Sequence, residues 1–131
     1  MAEVIDFASR KKASAPTFEE LVSLSTDAIS DNWEWFAKNN HLNDYFIQST
    51  PAWTEEGVDY LSDLNALSTL EQKINLFPAI RVKTGWVASF VMNDVEVVTP
   101  PMFTEAYARC FNILLFLKLG RELTQAGISI S

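Results

Sequence analysis

The sequence predicts an α+β domain with acidic N-terminal helices, a small antiparallel β-hairpin or three-stranded sheet, and a long buried C-terminal helix. Helical periodicity rich in acidic residues fills the first half of the chain. A stretch of strand-like alternation follows, and then a helical pattern that is apolar nearly all round. Runs of the two periods in separate parts of the chain are typical of the α+β class. The 131 residues match the usual size of one domain.

The composition is that of an ordinary globular protein. Apolar residues make up 48% and charged residues 21% of the chain, which argues against a wholly disordered chain and a coiled-coil rod. The most apolar run, Cys110 to Leu119, is about half of a membrane-spanning helix and contains Lys118. No apolar segment follows the early basic residues, so we expect no secretory signal. A single cysteine then favours a cytoplasmic protein without disulfides.

The first 15 residues are predicted to form a mobile tail, with the domain over residues 16–131. The tail mixes charged and small residues and has no helical apolar stripe, so it can bury little surface. It does contain Val4-Ile5-Asp6-Phe7 ahead of Arg10-Lys11-Lys12. This order suits a short linear motif that docks on a partner, and the alternative is a terminus without a role.

A long amphipathic helix is predicted from Phe18 to about Lys38. Thr17 and Glu20 have the spacing of a capping box. Apolar residues from Phe18 to Phe36 lie on one face at 100° per residue, and the acids Glu20, Asp27, Asp31 and Glu34 lie on the other. Asn39-Asn40 ends this pattern, and a short helix is predicted over 41–48.

A second acidic helix is predicted from Thr54 to about Leu67. Its apolar side faces away from Glu55, Glu56, Asp59 and Asp63. Ser68 and Glu71 then have capping-box spacing, which predicts a further short helix that Pro78 stops.

Alternating residues from Ile80 to Met92 predict strands, with a break at 83–85. Asn93-Asp94 is a two-residue turn candidate, because both residues tolerate positive φ. Pairing across it sets Met92 opposite Val95, Phe90 opposite Val97 and Ala88 opposite Thr99, all on one face.

The last helix is predicted from about Phe103 to Gln125, with Gly127 at its C-cap. Its middle, residues 111–119, is apolar nearly all round, as expected of a helix buried on most sides. We expect it to cover the apolar face of the hairpin. Its other sides pack either on the acidic helices or on a second copy of the chain, in a homodimer.

The sequence carries no recognisable catalytic, cofactor or metal motif, and we assign none. One histidine, His41, does not make a zinc site. Cys110 lies in an apolar helix, where a thiol usually acts as a small hydrophobe. The four glycines form no phosphate-binding cluster. We therefore expect a protein that is not an enzyme.

The negative charge is concentrated in one part of the chain. Residues 17–71 hold eleven acids and one base, Lys38, whereas the flanks are mildly basic. This segregation predicts a partner-facing acidic surface, and the alternative is a set of solvated helix faces. Its candidate residues are Asp27, Asp31, Glu34, Glu55, Asp59 and Asp63. Trp33 and Trp35 lie at opposite margins of the apolar stripe, and Trp53 lies in the same acidic half of the chain. All three are candidate interface anchors, with ordinary core as the alternative.

These observations predict a small acidic regulator, adaptor or inhibitor that binds a basic protein. Such a surface can imitate a nucleic-acid backbone and occupy the groove of a nucleic-acid-handling protein. The net charge of −7 argues against direct binding of nucleic acid or of an anionic membrane. Two alternatives stay open: a small enzyme or ligand-binding domain with a pocket between sheet and helices, and a self-assembling structural subunit.

Overall fold

The structure, a computed structural model, describes residues 16–38, 41–54, 57–74, 76 and 79–130. This part of the chain contains five helices and four short strands. In chain order they are α1 (Phe18–Asp31), α2 (Trp33–Ala37), α3 (His41–Ser49), α4 (Leu64–Ile74), β1 (Ile80–Val82), β2 (Gly85–Val87), β3 (Ser89–Met92), β4 (Val95–Val98) and α5 (Glu105–Gln125). The α+β prediction is confirmed, with a long buried helix at the C-terminal end. The predicted tail, 1–15, lies outside the described residues.

The capping box that opens α1 is confirmed. The Glu20 N–H donates to Thr17 Oγ1 over 3.1 Å, and the Thr17 N–H donates to Glu20 Oε1 over 2.8 Å. The predicted continuous helix to Lys38 is wrong, because α1 ends at Asp31 and α2 is a separate helix. At the junction the side chain of Asn32 donates to the Ala28 carbonyl over 2.8 Å. An asparagine side chain competes in this way with the backbone bonds that would continue a helix.

The predicted second acidic helix is also wrong. Residues 57–63 form turns, and α4 starts only at Leu64. The Asp59 carboxylate accepts the Leu61 N–H (3.2 Å) and the Ser62 hydroxyl (2.9 Å), which satisfies polar groups in the turn without a helix. From outside the segment, Asn43 Oδ1 accepts the Tyr60 N–H over 3.0 Å. Short helix α3, by contrast, was predicted to within one residue.

The predicted capping box at Ser68 and Glu71 does not exist, because both residues lie inside α4. The cap of this helix is Asp63, whose carboxylate accepts the Ala66 N–H over 3.0 Å. Both Ser68 and Glu71 instead contact a buried side chain of α5, described below.

Two antiparallel hairpins confirm the predicted strands. β1 pairs with β2, and β3 pairs with β4 in the predicted register, with Phe90 opposite Val97 and Met92 opposite Val95. Asn93 and Asp94 have φ of 53° and 63°, as the turn requires. An isolated antiparallel bridge joins Trp86 of β2 to Met102, in the segment that follows β4.

Gly85 is required beside that bridge. Its φ is +143°, and a Cβ atom placed on it would overlap the Met102 carbonyl oxygen. A larger residue would force the segment after β4 away from β2.

The buried helix α5 starts at Glu105, because Thr104 is its N-cap and accepts the Tyr107 N–H over 3.0 Å. The chain leaves it through Gly127, which has a φ of +76°. Residues 108–115 are all buried. This burial is supplied within the chain, because α1, α4, β2 and β3 all contact the helix.

Candidate functional site

A cavity of about 640 Å³ opens between α2, the start of α5 and the segment that joins β4 to α5. We call it the aromatic groove. Its lining residues are Ser30, Trp33, Glu34, Ala37, Lys38, Thr84, Pro100, Pro101, Met102, Phe103, Tyr107 and Phe111. Ligand-binding clefts in proteins commonly measure about 300–1,000 Å³ and are mainly apolar, with a few polar groups. The aromatic groove has both properties.

Trp33 forms one wall of the groove and is anchored on α5. Its ring centroid lies 5.6 Å from that of Tyr107, edge to face, and 5.6 Å from that of Phe111. Tyr107 and Phe111 are four residues apart, so they follow each other on one side of α5. The indole Nε1 of Trp33 is buried and has no hydrogen-bond partner among the described residues.

The opposite wall presents Phe103, which is 93% exposed. Its backbone neighbours are held on both sides. Met102 exchanges two hydrogen bonds with Trp86, of 2.8 and 2.9 Å, and Thr104 caps α5. Burial of a phenylalanine side chain stabilises by about 1.5–3 kcal/mol. An exposed phenylalanine on a fixed backbone is therefore a place where a partner can gain binding energy.

A surface ion pair borders the groove. Lys38 Nζ donates to Glu34 Oε1 over 2.9 Å, and both side chains are largely exposed. The hydrogen bond from Lys38 lowers the pKa of Glu34. Exposed pairs of this kind contribute little to stability, so both charges remain open to another partner.

Two of the residues predicted to form the acidic surface, Asp27 and Asp31, lie on α1. Asp27 and Asp31 are exposed, and neither makes an ion pair with the described residues. Leu24, 63% exposed, lies within about 60° of both on the helix circumference. Glu34, which lines the groove, continues this charge on α2. We call Asp27, Asp31 and Glu34 the acidic edge. Of the three only Glu34 lines the groove, while Asp27 and Asp31 flank Ser30, the α1 residue that lines it.

The other predicted carboxylates do not form a second helix face. Asp59 accepts hydrogen bonds in the turn after Gly57, and Asp63 caps α4. Both are exposed, but their oxygens have structural partners within the chain. The prediction of one acidic helix face there was wrong, because local side-chain bonds replace the helix. Glu55 lies outside the described residues.

Trp35 and Trp53 lie away from the groove. Trp35 is 54% exposed and stacks on His41, with ring centroids 4.1 Å apart and planes 5° from parallel. Trp53 is exposed just after α3. Of the three predicted anchor tryptophans, only Trp33 lines the aromatic groove.

A buried ion cluster, which we did not predict, connects α4 to α5. Arg109 Nε lies 3.1 Å from both carboxylate oxygens of Glu71, Nη1 donates to Glu105 over 2.8 Å and Nη2 to Ser68 over 2.8 Å. Burial raises the pKa of Glu71, although Arg109 opposes this, and the hydrogen bond to Glu71 raises the pKa of Arg109. Each charge has a partner, so the cluster is structural. Only the Glu105–Arg109 spacing could have indicated it.

Cys110 is buried beside this cluster, and its thiol contacts the Tyr60 carbonyl at 3.6 Å. Burial raises the pKa of the thiol well above its ordinary value. The thiolate, which is the reactive form of cysteine, is therefore disfavoured at neutral pH. The interpretation of Cys110 as a small buried hydrophobe agrees with this environment.

The described residues contain no group of three or more histidine, cysteine, aspartate or glutamate side chains placed to hold a metal ion. Within the same residues, no helix combines the length and the apolar character needed to cross a bilayer. The chain matches no protein-family model, no curated protein and no solved structure.

Proposed function

We propose that the protein is a non-enzymatic binding module that recognises a basic protein segment through an apolar anchor residue. The observation that carries this proposal is Phe103, fixed and exposed on the rim of a groove whose other wall bears Glu34. The anchor of the partner would enter the aromatic groove, and its basic residues would face Asp27 and Asp31.

The apolar part of this surface supplies affinity. Aromatic residues at the centre of an interface often contribute about 2 kcal/mol or more each. Trp33, Tyr107 and Phe111 are already packed on one another, so little conformational entropy remains to be lost when a partner side chain enters.

The charged part supplies orientation and a fast encounter. Exposed carboxylates beside an apolar cleft attract basic partners and repel acidic ones. Asp27 and Asp31 are exposed on α1, and Glu34 lines the groove together with its partner Lys38. A regulator, adaptor or inhibitor of a nucleic-acid-handling protein fits this description, since a protein that handles nucleic acid has a basic groove. The proposal places the pair in the cytoplasm, where a single thiol remains reduced.

A photo-crosslinking residue, p-benzoylphenylalanine, tests the proposal when it replaces Phe103. The matched control replaces Ile80, which is 66% exposed on β1 and does not line the groove. In a lysate of the native cell we expect position 103, but not position 80, to capture a protein with a basic segment at the crosslinked peptide. Mass spectrometry identifies that peptide.

Two further variants test the acidic edge. Asp27→Lys with Asp31→Lys should abolish most of the capture at position 103. Asp44→Lys with Glu96→Lys changes the net charge equally at exposed positions outside the groove and should not. The proposal is wrong if the same proteins are captured from positions 103 and 80. Capture of only small molecules or acidic peptides at 103 would favour a ligand-binding domain instead.

A further inference from the structure

We propose that residues 4–12 of the chain itself occupy the aromatic groove and compete there with the partner. This inference rests on the proposed function, because it takes the groove as the binding site. It adds a regulatory contact, because the partner must displace residues 4–12 of the chain, which have the same combination of apolar and basic side chains.

The composition of the segment matches what the groove selects. Val4, Ile5 and Phe7 are apolar, and Arg10, Lys11 and Lys12 follow them. The groove offers an apolar interior that Glu34 lines, and Asp27 and Asp31 are exposed on the neighbouring helix α1. Residues 17–71 carry eleven acids and one base, so the basic run is attracted to this part of the chain over several ångströms.

The length of the segment also matches. Asp27 and Asp31 lie about 16 and 22 Å beyond Pro16 along α1, at 1.5 Å per residue. An extended chain that turns back at Pro16 places Lys12 to Arg10 about 13–20 Å along the same line. The basic run therefore comes opposite Asp27 and Asp31.

The same course brings the apolar part to the groove. Phe7 is nine residues before Pro16, so it reaches up to about 30 Å in an extended chain. Ser30, the α1 residue that lines the groove, lies about 21 Å from Pro16 along the helix axis. Phe7 is therefore within reach of the groove.

Connection within one chain makes a weak contact effective. A short flexible linker gives a local concentration of about 1 mM. A segment that binds the groove with a Kd of about 100 μM would then be docked about nine-tenths of the time, and would weaken partner binding about tenfold. Substitution of the apolar anchors of the segment should therefore strengthen partner binding about tenfold.

A nitroxide attached to Ser9→Cys in the full chain tests the contact. The native Cys110 is buried, so the label reacts at position 9. We expect the amide NMR signals of Thr84, Phe103 and Tyr107 to broaden, at a level that does not depend on protein concentration. The amide of Gly127, about 30 Å further along α5, should stay sharp.

A second full-chain variant removes the anchors. With Val4→Ser and Phe7→Ser added, we expect the broadening at the groove to disappear, while capture of the partner at position 103 rises about tenfold. The inference is wrong if the groove signals stay sharp with the anchors present, or if only residues of α1 broaden. A mixture of spin-labelled chains at natural isotope abundance with isotope-labelled chains that carry no spin label separates one further case. Broadening of the groove signals in this mixture means that a second copy is the occupant, which overturns the intramolecular contact.

These outcomes separate the two proposals. Sharp groove signals together with partner capture at position 103 would contradict the docking of residues 4–12 in the groove and would leave the proposed function standing. Broadened groove signals without capture of any basic protein would contradict the proposed function.

Discussion

Trp33 and Tyr107 meet edge to face, with ring centroids 5.6 Å apart, and this contact joins α2 to the first turn of α5. It places one wall of the aromatic groove directly on the buried helix of the core. The break at Asn32 contributes, because it makes α2 a helix separate from α1. The groove is thus built on the most buried part of the molecule and is largely formed before a partner arrives.

The Trp33–Tyr107 contact predicts an energetic coupling. We expect Trp33→Leu and Tyr107→Leu to destabilise the protein by less in combination than the sum of the single effects. The difference should be about 0.5–1.5 kcal/mol, the usual value for an aromatic pair. Urea unfolding of the four proteins of the cycle measures it. Additive effects would mean that the two rings contribute only by their separate burial.

Phe103 is predicted to contribute to binding and not to stability. Phe103→Ser should change the free energy of unfolding by no more than about 0.5 kcal/mol, because the side chain is 93% exposed. The affinity for the protein captured at this position should fall by about 2 kcal/mol, as for an interface hot spot. Ile80→Ser is the control and should change neither affinity nor binding rate. A large loss of stability in Phe103→Ser would show that this residue belongs to the core.

The parts of the fold that were predictable depend on neighbours in sequence. The register of β3 and β4 followed from a period of two around Asn93-Asp94, and the cap of α1 followed from the spacing of Thr17 and Glu20. In each case the residues that decide the structure lie within a few positions of each other. The burial of α5 was predictable because an all-round apolar helix has few other environments.

The predictions that failed concern side chains whose hydrogen bonds replace those of a helix or connect residues far apart in the sequence. Asn32 and Asp59 make local hydrogen bonds that compete with a helix, and the helical pattern of the apolar residues does not reveal this. Asn43 holds Tyr60 from 17 positions away. The groove was missed for a similar reason: Trp33, Phe103 and Tyr107 share it only because the Trp86–Met102 bridge brings the segment after β4 beside α5.

Leu114 is predicted to be a major contributor to stability. It is buried in the middle of α5, so Leu114→Ala should cost about 2–5 kcal/mol. Leu117 on the same helix is only half-buried, and Leu117→Ala should cost clearly less. Thermal and urea unfolding of both variants test the difference. Equal and small losses would contradict the central position of α5.

Glu71 predicts a specific pH dependence of stability. Burial raises its pKa above the ordinary value of 4.5, so the native state binds this proton more tightly than the unfolded chain does. The contribution of Glu71 to stability is therefore fully present below the unfolded pKa and is lost as the pH rises through the native pKa.

The Glu71→Gln variant isolates this effect, since it cannot titrate. The difference in unfolding free energy between the parent and this variant should shift against the parent as the pH rises from below 4.5 through the raised native pKa of Glu71. An NMR titration of the Glu71 side-chain carboxyl carbon gives the native pKa directly. A native pKa below 4.5 would mean that the attraction of Arg109 outweighs burial.

The acidic edge predicts a charge-steered encounter. Asp27→Lys with Asp31→Lys should lower the association rate with the captured partner about five- to tenfold at low salt, and should flatten its dependence on salt, because long-range attraction is electrostatic. Both residues are exposed in the second half of α1, where lysines suit the helix dipole, so folding should survive. Asp44→Lys with Glu96→Lys changes the net charge equally and tests whether position matters. Surface plasmon resonance at low and high salt measures the association rate of each double variant.

If the two double variants slow association to the same extent, the overall charge attracts the partner and the acidic edge has no special role. If neither does, the α1 carboxylates only keep the protein in solution, and the search for the binding determinants moves to Trp35 and Trp53.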